Sequence, residues 1–213
     1  MMFRGQSKEW SLIPSLGRVG RLIDDYEDWK TLQHDLVQRF AKYARQLLDA
    51  DPRTYEEWLV HAQHHGVPTR LLDWTTNPLK ALFWAVEDRH YETANGVVWA
   101  FSPAFWQEDY LEPVALLDDA LTPFLPPQVN ARVLAQDACF VAFPTPEHTS
   151  PLPPLNSPGA YPKSISRLDA FVIPSSAKRV LRIELRTLGI THRSLFPDLD
   201  GVARDINAEI SGA

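Results

Sequence analysis

Residues 61–78 read HAQHHGVPTRLLDWTTNP. The stretch opens on the last turn of a helix predicted over Thr54 to His65, where Thr54 and Glu57 have the spacing of a capping box. Gly66 suits the left-handed residue that ends a helix, and Pro68 stops it from continuing. Leu71-Leu72 is a short extended run. A new helix then begins at Asn77, a good cap, with Pro78 in the first helical position. Its expected buried face is Leu79, Leu82, Phe83 and Val86. A helix, a turn, a short strand and a second helix thus follow within about thirty residues, which excludes a simple helical bundle.

Upstream, Trp29, Leu32, Leu36, Phe40, Tyr43 and Leu47 recur at three- and four-residue steps, predicting a helix that Asp51-Pro52 ends. Before it, Phe3 to Arg18 has no helical period and reads as a short strand followed by extended chain. Downstream of Gly96 the pattern turns to strands: Val97 to Phe101, Phe140 to Phe143, Ala170 to Ile173 and Val180 to Leu185. Residues 143–162 carry seven prolines and predict a loop, the expected place for disorder or a mobile lid. Phe196 to Ile210 predicts a turn into a final helix, with Pro197 near its start. The expected fold is α+β: one domain over 1–213, with N-terminal helices packed on a mostly antiparallel sheet.

Composition narrows the function. The 213 residues carry a formal charge of −6, which argues against a broad nucleic-acid-binding face. The start, MMFRGQSKEW, has no apolar core of a signal peptide, and no apolar run is long enough to span a membrane. With one cysteine, Cys139, no disulfide can form within the chain. The expectation is a cytoplasmic protein without a membrane partner, and Cys139 reads as a buried, inert thiol.

The chemistry concentrates in the quoted stretch. Gln63, His64, His65, Thr69, Arg70, Asp73, Trp74, Thr75 and Asn77 are the candidate site residues there. The helix starting at Asn77 offers free amides that favour an anion, and Arg70 can fork a phosphate. His61, His64 and His65 share one helical face, but without an HExxH or CxxC pattern no metal is assigned to them. Each candidate also has a plain structural use. Asn77 is a cap, Arg70 and Asp73 can pair with each other, and Trp74 suits a core.

Phe3-Arg4-Gly5-Gln6, the block Gln63-His64-His65-Gly66 with Pro68 to Thr75 and Asn77-Pro78, then Arg132, Gln136, Phe140, and Leu195 to Gly201 lie in the order of the FRG domain family, which the chain resembles over nearly its whole length. The family usually has glycine where Ala138 stands. Phe3-Arg4-Gly5 is also similar to the first-strand motif of arginine-class ADP-ribosyltransferases. That likeness implies a transferase-like fold and an enzyme that uses NAD as substrate, with toxin or phage defence as the setting. It places Arg4 on the phosphates or ribose, and Thr75 with Trp74 at the nicotinamide. Gln136, helped by Asp73 or His64, stands near the reacting carbon. The acceptor, nucleic acid or protein, stays open. The alternatives are a non-catalytic module that binds a nucleotide or a protein segment, and a hydrolase using His64 and Asp73.

Overall fold

The computed structural model describes residues 1–48, 51–106, 116–126 and 131–210. The strands are β1 (Met2–Gln6), β2 (Leu71–Thr75), β3 (Gly96–Pro103), β4 (Thr122–Phe124), β5 (Ala138–Ala142) and β6 (Ile165–Ile173). Among the described residues they form one six-stranded sheet, ordered β4-β5-β2-β1-β3-β6, and every pairing is antiparallel. The helices are α1 (Trp29–Ala44), α2 (Tyr55–His64), α3 (Pro78–Val86), α4 (Ala131–Ala135), α5 (Lys178–Thr187), α6 (His192–Leu195) and α7 (Leu199–Ile210). The fold is α+β, as the sequence predicts.

The two faces of the sheet are covered differently. On one face Met2, Leu72, Trp74, Val97, Trp99, Phe101, Cys139 and Val141 form a continuous core with Leu12, Leu155 and Tyr161. On the other face there are two separate cores. Leu71, Phe140 and Ala142 pack against Trp58, Leu59 and Val60 of α2. Val98, with Phe3 and Ile173, packs against Ala81, Phe83 and Ala85 of α3 and against Leu185, Leu195 and Phe196. The middle of this second face lies between the two groups of helices.

The strand ladder is uneven at the same place. β1 pairs with β3 from Met2↔Phe101 to Gln6↔Val97, and β2 with β5 from Leu71↔Ala142 to Thr75↔Ala138. Between β1 and β2 the register holds one pair, Phe3↔Thr75. The carbonyl of Asp73 accepts a hydrogen bond from Arg4 Nη1.

The caps form where the residue types require them. Thr54 accepts from the Glu57 N–H at 3.2 Å, although the Glu57 carboxylate returns to the N–H of Arg53, one residue before the expected partner. Gly66, at φ +81°, ends α2 in a Schellman turn in which Gly66 N–H reaches Gln63 O and Val67 N–H reaches Ala62 O. Asn77 Oδ1 accepts from the N–H groups of Leu79 and Lys80, with Pro78 in the first turn.

Some expectations need correction. Val180 to Leu185 lies in α5, not in a strand. Six alternating residues also fit a helix: Leu181 and Leu185 share its inner face four residues apart, while Val180 and Ile183 point outward. In α1 the buried line runs through Trp29, Leu32, Gln33, Val37 and Ala44, leaving Tyr43 exposed, and Leu47 lies exposed in the 3-10 turn that follows. Leu79 is exposed in the first turn of α3. β4, which contains Pro123, had no clear sequence signal and is tolerated because it is an edge strand.

The 143–162 loop, expected as a mobile lid, is pinned to the body. Leu152 and Leu155 are buried. Leu155 N–H donates to Leu12 O, Asn156 Oδ1 accepts from Leu12 N–H, and Trp29 Nε1 donates to Ser150 O. No helix among the described residues is long and apolar enough to cross a membrane.

Candidate active site

A cleft of about 370 Å³ occupies the gap between the two groups of helices, floored by the centre of the sheet. Residues of β2 alternate, so Leu71, Asp73 and Thr75 face the helices while Leu72 and Trp74 face the opposite core. Asp73 and Thr75 thus stand on the cleft floor, with Gln63 and His64 of α2 on one side and Gln136, just after α4, on another. Arg4 enters at the seam between β1 and β2.

Arg4 and Asp73 are the electrostatic centre. Arg4 Nη1 lies 4.0 Å from Asp73 Oδ2, and Arg4 Nε is buried with no hydrogen-bond partner among the described residues. The Asp73 side chain is 57% exposed because water reaches it through the cleft, yet protein surrounds it on the remaining sides. That enclosure raises its pKa from the ordinary aspartate value, against the opposing pull of Arg4 and the hydrogen bond from Gln63. Burial lowers the pKa of the Arg4 guanidinium, with Asp73 pulling the other way.

A directed chain of hydrogen bonds holds the carboxylate. Thr69 Oγ1 accepts from the Leu71 N–H at 3.2 Å and donates to Gln63 Oε1 at 2.5 Å. Gln63 then presents Nε2 to Asp73 Oδ2 at 2.9 Å. Thr69 is itself fixed by Ser15, whose Oγ accepts from the Thr69 N–H and donates to its carbonyl.

His64 is neutral at physiological pH. Partial burial, then the charge of Arg132 and the neighbouring His65 and His61, lowers its pKa to about 4, and Asp198 opposes this only weakly. Thr75 has its hydroxyl proton committed to Gln136 O at 2.7 Å and accepts from the Asn77 N–H. Gln136 Nε2 donates to Leu195 O.

Not every expected residue meets at the cleft. Arg70 is buried away from it, donating to Leu117 O, Phe143 O, Asp118 Oδ1 and Thr145 Oγ1. The alternation that places Asp73 in the cleft turns Arg70 away from it. Asn77 caps α3 and donates to Asp137 Oδ2. His65 stacks against Phe40, and Thr69 stands behind Gln63. Trp74 borders the cleft, but its ring packs on Phe101 in the opposite core. Asp137 takes the positive φ of 45° at the turn before β5, so Ala138 needs no glycine-like backbone and pairs with Thr75.

The aromatic walls come instead from Phe3, Trp84, Phe140 and Phe196. Arg132 also lines the cleft, where it lies over the Phe196 ring at 4.8 Å and donates to Asp198 Oδ2 at 2.8 Å. Arg132 lies one turn before Gln136, whose N–H donates to its carbonyl, while Trp84 and Phe196 are distant in sequence and reach the cleft through the packing of α3 and α6. Cys139 is fully buried, and burial raises its thiol pKa far above the ordinary value.

No curated protein and no solved structure matches the chain. Residues 1–94 match the family model of the FRG domain, a span that includes Arg4, Gln63, His64, Asp73 and Thr75. Over that span the chain is similar to the FRG domain.

Proposed function

We propose that the cleft binds a nicotinamide nucleotide and cleaves its bond between ribose and nicotinamide, so that the protein is an NAD-using enzyme of the ADP-ribosyltransferase type. The observation that carries this reading is the Arg4–Asp73 pair on the floor of an aromatic-walled cleft. A carboxylate beside a guanidinium on the floor of such a cleft supports this reading, because glycosidic cleavage uses a carboxylate against the developing positive charge.

In this reading the Asp73 carboxylate faces the positive charge that grows on ribose C1′ as its bond to the nicotinamide nitrogen breaks. The electron pair leaves with nicotinamide. A water or an acceptor hydroxyl then bonds to C1′ and loses its proton to Asp73, whose raised pKa makes it a better base than an ordinary aspartate. Arg4 holds Asp73 in place and hydrogen-bonds the ribose. Gln136 and Thr75 border the nicotinamide, and Trp84 and Phe196 supply the flat walls that Trp74, packed in the core, does not. His64, uncharged, accepts a hydrogen bond without repelling the developing cation. The setting we propose is cytoplasmic, in a toxin or phage-defence effector, with nucleic acid or protein as the acceptor.

The test is calorimetry with NAD beside chromatographic detection of nicotinamide. We expect binding with release in the wild type, binding without release in Asp73→Asn, and loss of both in Arg4→Ala with the fold retained by circular dichroism. Binding without release by the wild-type protein would make the cleft a nucleotide-binding module, and the absence of both would overturn the proposal.

A further inference from the structure

The cleft contains two guanidinium groups, and they are not equivalent. Arg4 is committed: Nη1 holds the Asp73 carbonyl, and the Asp73 carboxylate stands 4.0 Å away. A phosphate placed there would meet that carboxylate. Arg132 is placed differently. It is 30% exposed, and its recorded carboxylate partner, Asp198, does not line the cleft. Its guanidinium lies over the Phe196 ring, 4.8 Å from the centroid. Asp198 has a second commitment, accepting the Gly201 N–H at 2.8 Å at the start of α7, so it does not depend on Arg132 for a partner.

We infer that Arg132 is the phosphate anchor of the cleft, exchanging Asp198 for the 5′-phosphate of a nicotinamide ribonucleotide whose ribose lies over Arg4 and Asp73. This rests on the reading of the cleft given above and specifies it. The recognised unit is the nicotinamide ribose phosphate, and the remainder of a dinucleotide lies outside the cleft mouth. The cleft lining supplies both groups this requires, the anion-seeking guanidinium of Arg132 and the cation-stabilising carboxylate of Asp73. Phe196 also couples the anchor to the aromatic wall, because Trp84 meets its ring edge-on at 5.6 Å.

The same placement supplies a reporter. Arg132 is the charged neighbour that most depresses protonation of His64, and His61, His65 and Asp198 are the other titratable groups acting on that ring. A phosphate on Arg132 would offset its charge and shift the His64 ring resonances.

The experiment compares nicotinamide mononucleotide with nicotinamide riboside, which lacks the phosphate, by calorimetry. The wild type is expected to bind the mononucleotide about ten- to a hundred-fold more tightly, the range of one charge-assisted contact. In Arg132→Gln the ratio should fall to about one, and in Arg132→Lys it should be partly restored. Asp198→Asn keeps an acceptor for Gly201 and frees Arg132, so the preference should widen. Equal affinities in the wild type, or a preference unchanged in Arg132→Gln, would overturn the inference while leaving the proposed cleavage standing. Should neither compound bind, the nicotinamide reading falls. Titration with inorganic phosphate, followed at His64 by NMR, then decides the anchor alone: a shift lost in Arg132→Gln supports it, and no shift overturns it.

Discussion

Gln63 donates its amide to the Asp73 carboxylate at 2.9 Å, and the other end of the same amide accepts from Thr69, two residues before β2. The carboxylate only accepts, so Gln63 turns Nε2 to Asp73 and Oε1 to the Thr69 hydroxyl, which also accepts the Leu71 N–H. Thr69→Val removes the hydroxyl that holds Gln63 in this place. The prediction is a further rise in the Asp73 pKa, since the donor to the anion is held less firmly. It is read from the Asp73 carboxyl carbon by NMR, with Thr69→Ser restoring the wild-type titration. An unmoved titration would show that Gln63 needs no such support.

His64 gives a pH dependence with a defined sign. Its folded pKa of about 4 lies below the ordinary histidine value of 6.5, so the folded state binds this proton less readily than the unfolded chain. Its contribution to stability is present above pH 6.5 and is lost as pH falls towards 4. Replacing His64 with Gln should remove that loss. The variant should gain about 2–4 °C on the wild type between neutrality and pH 4, or about 1 kcal/mol after screening at a partly exposed ring. Melting curves at several pH values test this, and parallel profiles would contradict it.

Gly5 explains the glycine of the Phe3-Arg4-Gly5 motif. A Cβ there would lie 1.8 Å from Ala81 O and 2.8 Å from Ala85 N, both backbone atoms of α3 that cannot swing aside. Gly5→Ala should cost about 3 kcal/mol or more, lowering the melting midpoint by about 6–12 °C. It should also push α3 away from β1 and enlarge the cleft, so ligand affinity should fall together with stability. A variant as stable as the wild type would contradict this packing.

Arg70 provides the contrasting case. Arg70→Ala leaves the carbonyls of Phe143 and Leu117 and the side chains of Asp118 and Thr145 without their shared donor. A cost of about 2–4 kcal/mol is expected in urea unfolding. Ligand affinity of the folded protein should stay unchanged. Loss of affinity without loss of stability would return Arg70 to the site.

The parts of the fold read correctly from sequence are those decided by one or two neighbouring residues. Thr54, Gly66 and Asn77 each satisfy or release backbone groups within a single turn, so their positions follow from residue type alone. Val180 to Leu185 was misread because six alternating residues satisfy both periods, and the choice depended on what Leu181 and Leu185 would meet. In the site, Arg70 and Asp73 looked equivalent because they are close in sequence. Counting by twos along β2 from Asp73 separates them. Arg132 and Phe196 stand among the residues that carry the family resemblance, but their place in the cleft, like that of Trp84, follows from the packing of helices on a sheet whose strand order does not follow the chain.

The single registered pair between β1 and β2 has a mechanical consequence. The sheet is two leaves joined by one stitch at Phe3 and Thr75, with Arg4 on one leaf and Asp73 on the other. Force across the molecule concentrates on that line, because the ladders on either side carry longer registers. The Arg4 hydrogen bond to the Asp73 carbonyl crosses the same line, and a ligand touching both residues would reinforce it. Its binding would stiffen the whole sheet rather than one loop, and amide exchange would slow along β1 and β2 together.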